Sequence, residues 1–209
     1  MPPRFLSPVP PSELDLIQKY LETHSLGRNV YRKKVGDGVS QCFGIVSKRS
    51  MRPDLSRQSW RHPLLHFLLI EFAKKYVPVF FSSIQVNVNY PCNPHKDVGN
   101  VGESYIVGFG GYIGGSLVVE GMDYDINYRG LLFDGSKLEH WTRPWNGPRY
   151  SLVFHTLAPK PRWGNAVMSL ENYEVVDDNG VLKIKRLSDG LLLDKDHPLP
   201  HPLQRRAAT

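Results

Sequence analysis

The hydrophobic rhythm of this 209-residue chain changes close to residue 78. Before that point apolar positions recur at helical spacing. From Ser12 to His24, Leu14, Ile17, Tyr20 and Leu21 share one face, with Ser12 as a candidate cap. From His62 to Val77, Leu65, Leu68, Leu69, Phe72 and Tyr76 do the same behind Pro63. Between these two predicted helices, Gln41 to Ser47 reads as a short strand and 48–61 as a polar, basic loop. From Val79 onward short runs alternate with period two and are broken by Pro91, Gly99, Gly110-Gly111, Gly114-Gly115, Gly121, Gly130 and Gly135. Many short strands at that spacing predict a sandwich or barrel. Asp178-Asn179-Gly180 separates two further alternating runs and predicts a hairpin over 173–187. The proline-rich end, 194–209, reads as a tail whose His197 and His201 make no defined site.

Composition narrows this picture. With 41% hydrophobic and 22% charged residues, the chain has enough apolar material for one sizeable core. A single domain over 1–209 is expected: helical support and the basic loop over 12–77, a β core over 79–158, the hairpin region over 163–190 and the tail over 194–209. Twenty-six basic against 20 acidic residues leave a net charge of +6, which suits a polyanionic partner without establishing one. Only Cys42 and Cys92 are present, with no paired spacing, so neither a disulfide framework nor a structural zinc site is supported. No apolar run has the length of a signal peptide core or a membrane span, so a soluble, intracellular protein with no membrane partner is expected. A monomer is the expected state.

The chemistry concentrates between Asn87 and Thr156. In an extended segment, residues two apart point the same way, so His95 and Asp97 can chelate one ion. With His140 they make two imidazoles and one carboxylate, the set that binds Fe(II) on one face and leaves positions for a 2-oxo acid and dioxygen. Arg149-Tyr150-Ser151-Leu152-Val153-Phe154-His155 alternates cleanly, putting Arg149, Ser151, Val153 and His155 on one face. An inward arginine and serine require an anion, and 2-oxoglutarate offers a distal carboxylate for a bidentate fork. Gln85, Asn87 and Asn89 share a face of another strand. Three amides in a row either face solvent or line a polar cavity, and Asn87 and Asn89 are expected to line it as contacts to the 2-oxo acid or the substrate. His66, among apolar neighbours, reads as packing. Tyr105, Phe109 and Tyr112 read as core or as pocket lining.

These residues resemble the 2-oxoglutarate- and Fe(II)-dependent dioxygenases, over about Ile84 to Leu157. The resemblance is carried by His95, Asp97, His140, Arg149, Arg149-x-Ser151 and the Gly114-Gly115-Ser116-Leu117 run. Within that superfamily, His95-Lys96-Asp97-Val98-Gly99-Asn100 with Gly102 and Ser104 is similar to the TET/JBP group, which oxidises 5-methylpyrimidines in nucleic acids. The resemblance implies an α+β protein with a double-stranded β-helix core, jelly-roll and cupin-like, supported by N-terminal helices. It implies Fe(II), 2-oxoglutarate and O2 as metal and co-substrates, held by His95, Asp97, His140, Arg149 and Ser151. It also implies substrate contacts from Asn100, Ser104 and His155, and DNA as partner, with RNA as the alternative nucleic acid. His155 stands where animal members carry a base-stacking tyrosine, and it reads equally well as a hydrogen-bonded core histidine. An extruded base needs phosphate-gripping cations around the pocket, and Arg49, Arg52, Arg57, Trp60 and Arg61 are the candidates. The same scaffold would also serve an AlkB-like nucleic-acid demethylase, a protein or small-molecule hydroxylase, or, without metal, a binding module.

Overall fold

A strand paired along both edges shows one set of side chains to each side of its sheet, and Tyr150–His155 is such a strand. The computed structural model describes residues 1–27, 38–46, 54–157, 173–178 and 181–193. In chain order these form β1 (Arg4–Pro8), α1 (Asp15–Thr23), β2 (Val39–Val46), β3 (Asp54–Leu55), α2 (Arg57–Arg61), α3 (Pro63–Tyr76), β4 (Ser83–Val88) and β5 (Ser104–Phe109). Then come β6 (Ile113–Gly114), β7 (Leu117–Val119), β8 (Met122–Tyr124), β9 (Arg129–Phe133), β10 (His140–Thr142), β11 (Trp145–Asn146) and β12 (Tyr150–His155). A C-terminal group, β13 (Tyr173–Asp178), β14 (Val181–Arg186) and β15 (Leu192–Leu193), forms its own antiparallel sheet.

The main sheet runs β1-β9-β5-β12-β4-β2-β3, antiparallel throughout. Smaller sheets, β10-β7-β8 and β11-β6, supply the other strands of the expected double-stranded β-helix. One face of the main sheet receives the helices. Tyr150, Leu152 and Phe154 of β12 pack with Ile84, Val86, Tyr105 and Val107 against Ile17, Leu21, Leu65, Leu69 and Phe72. Phe154 is ringed by Phe72 at 6.0 Å, Phe81 at 5.2 Å and Tyr105 at 5.9 Å. Burying each such ring contributes about 1.5–3 kcal/mol. The opposite face carries a second apolar cluster of Ile106, Leu117, Val119, Ile126, Leu131 and Phe133, with Val153 against it. The expected alternation of β12 is therefore what divides the protein into a helix-backed layer and a site-bearing layer.

Several boundaries differ from the sequence-based expectation. The first helix is broken: Pro11–Glu13 forms a 3-10 turn and α1 starts at Asp15, so Ser12 does not cap it and Leu14 holds the N-cap position. The proline-rich lead contains β1, which pairs with β9 as an edge strand, where a missing N–H costs little. The basic stretch expected to be a loop contains α2, and the Ser56 hydroxyl accepts from the Ser59 N–H at 3.2 Å. Five residues are too few to show a helical period. The second predicted helix is α3, with Pro63 in its first turn and Lys74 and Lys75 in its last. The turn residues Asn179-Gly180, the segment 163–172 and the tail with His197 and His201 lie outside the described residues. Among the described residues no helix is long and apolar enough to cross a membrane.

His66 is packing, as its neighbours predicted, but at a cost. It is 1% exposed against Phe43, and neither ring nitrogen has a hydrogen-bond partner. Burial pushes its pKa down to about 4. Below about pH 6.5 the unfolded chain therefore binds a proton that the folded chain refuses, so this residue's stabilising contribution is lost as pH falls from 6.5 toward 4. Urea unfolding of the metal-free protein should show it. Between pH 7 and pH 5 the wild type should lose about 2 kcal/mol more stability than His66→Leu, whose apolar side chain has nothing to protonate.

Candidate metal and co-substrate site

His95 and His140 are brought together by a two-residue bridge lying outside the main ladder. The His95 N–H donates to the His140 carbonyl at 3.2 Å, and the His140 N–H donates back at 3.0 Å. Asp97 is fixed two residues on, where its N–H donates to the Gly135 carbonyl at 2.8 Å. Both imidazoles are oriented by backbone carbonyls. His95 Nδ1 lies 2.8 Å from the Asn93 oxygen and His140 Nδ1 lies 3.0 Å from the Leu138 oxygen. A carbonyl only accepts, so each Nδ1 carries a hydrogen and Nε2 is the nitrogen turned toward Asp97, which is how metal-binding histidines are usually held.

The two Nε2 atoms converge on the carboxylate. His95 Nε2 is 3.4 Å from Asp97 Oδ1, and His140 Nε2 is 3.6 Å from Asp97 Oδ2. All three ligand atoms lie within 4.8 Å of one another. Metal–ligand bonds of about 2.1 Å set neighbouring ligand atoms about 3 Å apart, so the cluster has the size of a cation site. Burial would raise the Asp97 carboxyl, but contact with His140 and His95 outweighs it and holds the group below the usual carboxylate range. Two imidazole nitrogens and one carboxylate on a single side suit Fe(II) with open positions.

The triad opens onto a cavity of about 530 Å³. Its wall includes Asn87, Arg149, Ser151, Val153, His155 and Asn100, with Ile106, Leu117 and Phe133 as apolar lining. Arg149 is the decisive residue. It is 3% exposed, its Nε donates to the Gly115 carbonyl at 3.2 Å, and its Nη2 has no hydrogen-bond partner. The rings of Tyr112 and Trp145 lie 5.2 Å and 5.4 Å from its guanidinium carbon. No carboxylate pairs with it among the described residues, and burial lowers its pKa from the ordinary arginine value. An unpartnered buried cation is strongly unfavourable, so the site is built to receive an anion. Gly115 makes room for the arginine: it has φ +69°, and a Cβ there would lie 2.9 Å from Arg149 Nε.

A hydrogen-bond chain crosses three strands toward the same point. Gln85 Nε2 donates to Ser40 Oγ at 2.8 Å, Ser40 Oγ donates to Asn87 Oδ1 at 2.6 Å, and Asn87 Nδ2 donates to Ser151 Oγ at 3.1 Å. Ser151 accepts from Asn87, and its own O–H is available to donate on the side of Arg149. The residues thus fit a 2-oxo dicarboxylic acid, with a metal at one end and a cation plus a hydroxyl donor at the other.

Not every expected contact is there. Asn89 is exposed past the end of β4 with φ +47°, and its Oδ1 accepts from the Arg149 N–H at 2.8 Å, so it steadies the strand and does not line the cavity. The period-two face ends at Asn87 because the backbone leaves the extended region. Ser104 is buried at the start of β5 opposite Phe133 and also stays off the cavity wall. Asn100 lines the cavity, tied by its N–H to the Asp97 carbonyl at 2.8 Å and bridged to Leu157. His155 lines it too while buried, and burial lowers its pKa. Arg57 and Arg61 are exposed on α2 and are not part of the cavity wall. Arg49, Arg52 and the side chain of Trp60 lie outside the described residues. Sequence reasoning missed Trp145, the contact of Gly115 with Arg149 and the Ser40–Gln85 link, which become neighbours only when distant strands meet.

Fold and site together present a double-stranded β-helix that holds two histidines and a carboxylate beside a buried arginine. Among solved structures the chain is similar to NgTET1 in complex with 5mC DNA, with a TM-score of 0.55 at 18% identity over 79% of this chain and 76% of that one. It is also similar to an oxidoreductase of the 2OG-Fe(II) oxygenase family from Burkholderia pseudomallei, with a TM-score of 0.49 at 16% identity over 73% and 84%. The likeness to NgTET1 is one of fold. No family model and no curated protein matches the sequence.

The triad predicts its own titration. By calorimetry with Mn(II) as an air-stable probe, His95→Ala and Asp97→Ala should each weaken binding by at least about 100-fold, more than the loss of a supporting partner produces. Arg149→Ala, remote from the metal ligands in sequence and role, should leave Mn(II) affinity within about threefold of wild type and abolish the gain from added 2-oxoglutarate.

Proposed function

We infer that this protein is an Fe(II)- and 2-oxoglutarate-dependent dioxygenase, and we propose that it oxidises the methyl group of a pyrimidine base in DNA, with 5-methylcytosine as the first candidate. The observation that carries the dioxygenase reading is a buried, acid-free Arg149 in the same cavity as the triad. When bound, iron and 2-oxoglutarate supply the oxidising chemistry: one atom of O2 becomes the new hydroxyl, and the other enters succinate as CO2 leaves. The chain's own residues do the rest. His95 and His140 would offer Nε2 to the metal, each ring oriented by its Nδ1–H bond to a carbonyl, and Asp97 would supply the negative charge. Arg149 and Ser151 orient the co-substrate, and the wall of Ile106, Leu117, Phe133 and Val153 keeps water from the reacting centre.

The DNA reading is supported by the rim. A base reaching this cavity must leave its stack and be read by polar groups at the mouth. Asn100 lies three residues after Asp97 on the cavity wall, and His155 shares that wall. Lys96 is exposed at the same mouth, and beside it Val98 is 86% exposed, offering a cation for phosphate and an apolar contact for a base. The net charge of +6 favours a polyanion, and NgTET1, of similar fold, is known in complex with 5mC DNA.

The test is nucleoside mass spectrometry. Protein loaded anaerobically with Fe(II) and then given 2-oxoglutarate, air and 5-methylcytosine DNA should yield 5-hydroxymethylcytosine or more oxidised products, with none from His95→Ala. Succinate without nucleoside product keeps the dioxygenase and removes this substrate, directing the search to thymine, RNA and protein. Neither product overturns the enzyme.

A further inference from the structure

Asp97, Val98, Gly99 and Asn100 form a closed β-turn at the mouth of the cavity, with the Asn100 N–H donating to the Asp97 carbonyl at 2.8 Å. Val98 takes the first central position and is 86% exposed. Such positions ordinarily carry proline, glycine or small polar residues, which suit the backbone or water. A lone exposed valine needs no explanation, but this one has apolar company. Val101, at the other end of the same loop, is 46% exposed, and the half-buried Val46 and Leu157 line the mouth. The rim therefore presents apolar surface to whatever approaches the metal site.

The turn has little freedom to fold that surface away. Before it, His95 and His140 exchange backbone hydrogen bonds, and the Asp97 N–H donates to the Gly135 carbonyl at 2.8 Å. After it, Asn100 bridges Leu157 just past β12, and the Val101 N–H donates to the Thr156 carbonyl at 2.9 Å. Gly99 leaves the flank of the turn open, since a Cβ there would meet nothing within 4 Å. A β-branched side chain is stiff at χ1, so Val98 stands as a short apolar point on a backbone anchored from both sides. Lys96, exposed on the same rim, adds a cation beside it.

An apolar point is stabilised by an apolar slot, and a cation by an anion. Double-stranded DNA offers the two side by side where a base has left its stack: two base faces separated by a vacated layer and edged by phosphates. A single strand holds no such fixed slot. Resting on the base-oxidation reading above, we propose that this protein acts on double-stranded DNA and that Val98 is the wedge filling the layer the target base vacates, with Lys96 on an adjoining phosphate. Val98 is then a positioning residue. It touches the bases flanking the target and holds the target out of the stack, on the side where Asn100 lines the cavity.

The Fe(II)-loaded protein is compared on 5-methylcytosine in a paired duplex, in the same duplex with the target mispaired, and in a single strand. Val98→Ala should lower the duplex to single-strand ratio of kcat/KM about tenfold, the scale of losing two buried methyl groups. A mispaired target is already loosened and should recover most of that loss. Val98→Leu, still apolar, should hold the wild-type ratio. Without 2-oxoglutarate, 2-aminopurine placed beside the target should brighten when the wild type binds and unstacks its neighbour, and brighten less with Val98→Ala. An unchanged ratio in Val98→Ala, or a wild type that oxidises single strands and not the duplex, overturns the wedge and keeps base oxidation. Product from neither form in the wild type removes the base-oxidation reading, and the wedge falls with it.

Discussion

Strand β12 is hydrogen-bonded on one edge to β4 and on the other to β5, and the pleat imposed by those two ladders governs most of what this protein is. A doubly paired strand has no freedom to rotate a residue from one side to the other. Tyr150, Leu152 and Phe154 must enter the helix-backed core, and Arg149, Ser151, Val153 and His155 must face the cavity. The stability of the first set holds the second in place. A shift of one residue would turn the Arg149 guanidinium into the apolar core and Tyr150, Leu152 and Phe154 into the site.

The energetic tension of the site follows from that register. Arg149 is carried into the interior by its strand, and the protein supplies a carbonyl for Nε and two aromatic faces but no acid among the described residues. Such an arrangement is a standing cost that an anionic ligand removes, which couples ligand binding to stability. The metal side is built differently. There one carboxylate lies between two imidazoles, and the backbone carbonyls of Asn93 and Leu138 orient the rings. A cation enters a site already shaped for it, and an anion completes the far end.

Much of this was legible in the order of residues. The change from helical to period-two spacing identified α3 and the β core, and the alternation through 149–155 assigned each side chain of β12 to its face. His95, Asp97 and His140 were recognisable because a metal needs those donor types, and a two-residue spacing in extended chain puts the first two on one side. Asn87 followed from the same logic. Asn89 and Ser104 did not: a positive φ ended the alternation at the first, and burial against β9 removed the second from the cavity. The short strand β1 and the five-residue helix α2 were also hidden, since a few residues carry no measurable period and their form is decided by what they pair or pack with.

What the sequence determined by itself is therefore the chemistry available and the faces on which local periodicity presents it. Only the tertiary structure decided which faces meet. The neighbours of Arg149, from Tyr112 through Gly115 to Trp145, come from loops and short strands with no periodic signal, and the approach of His140 to His95 spans 45 residues of chain. Strand register and loop closure fix those distances, and both are properties of the whole sheet, where each pairing is stabilised by burial that no local segment contains.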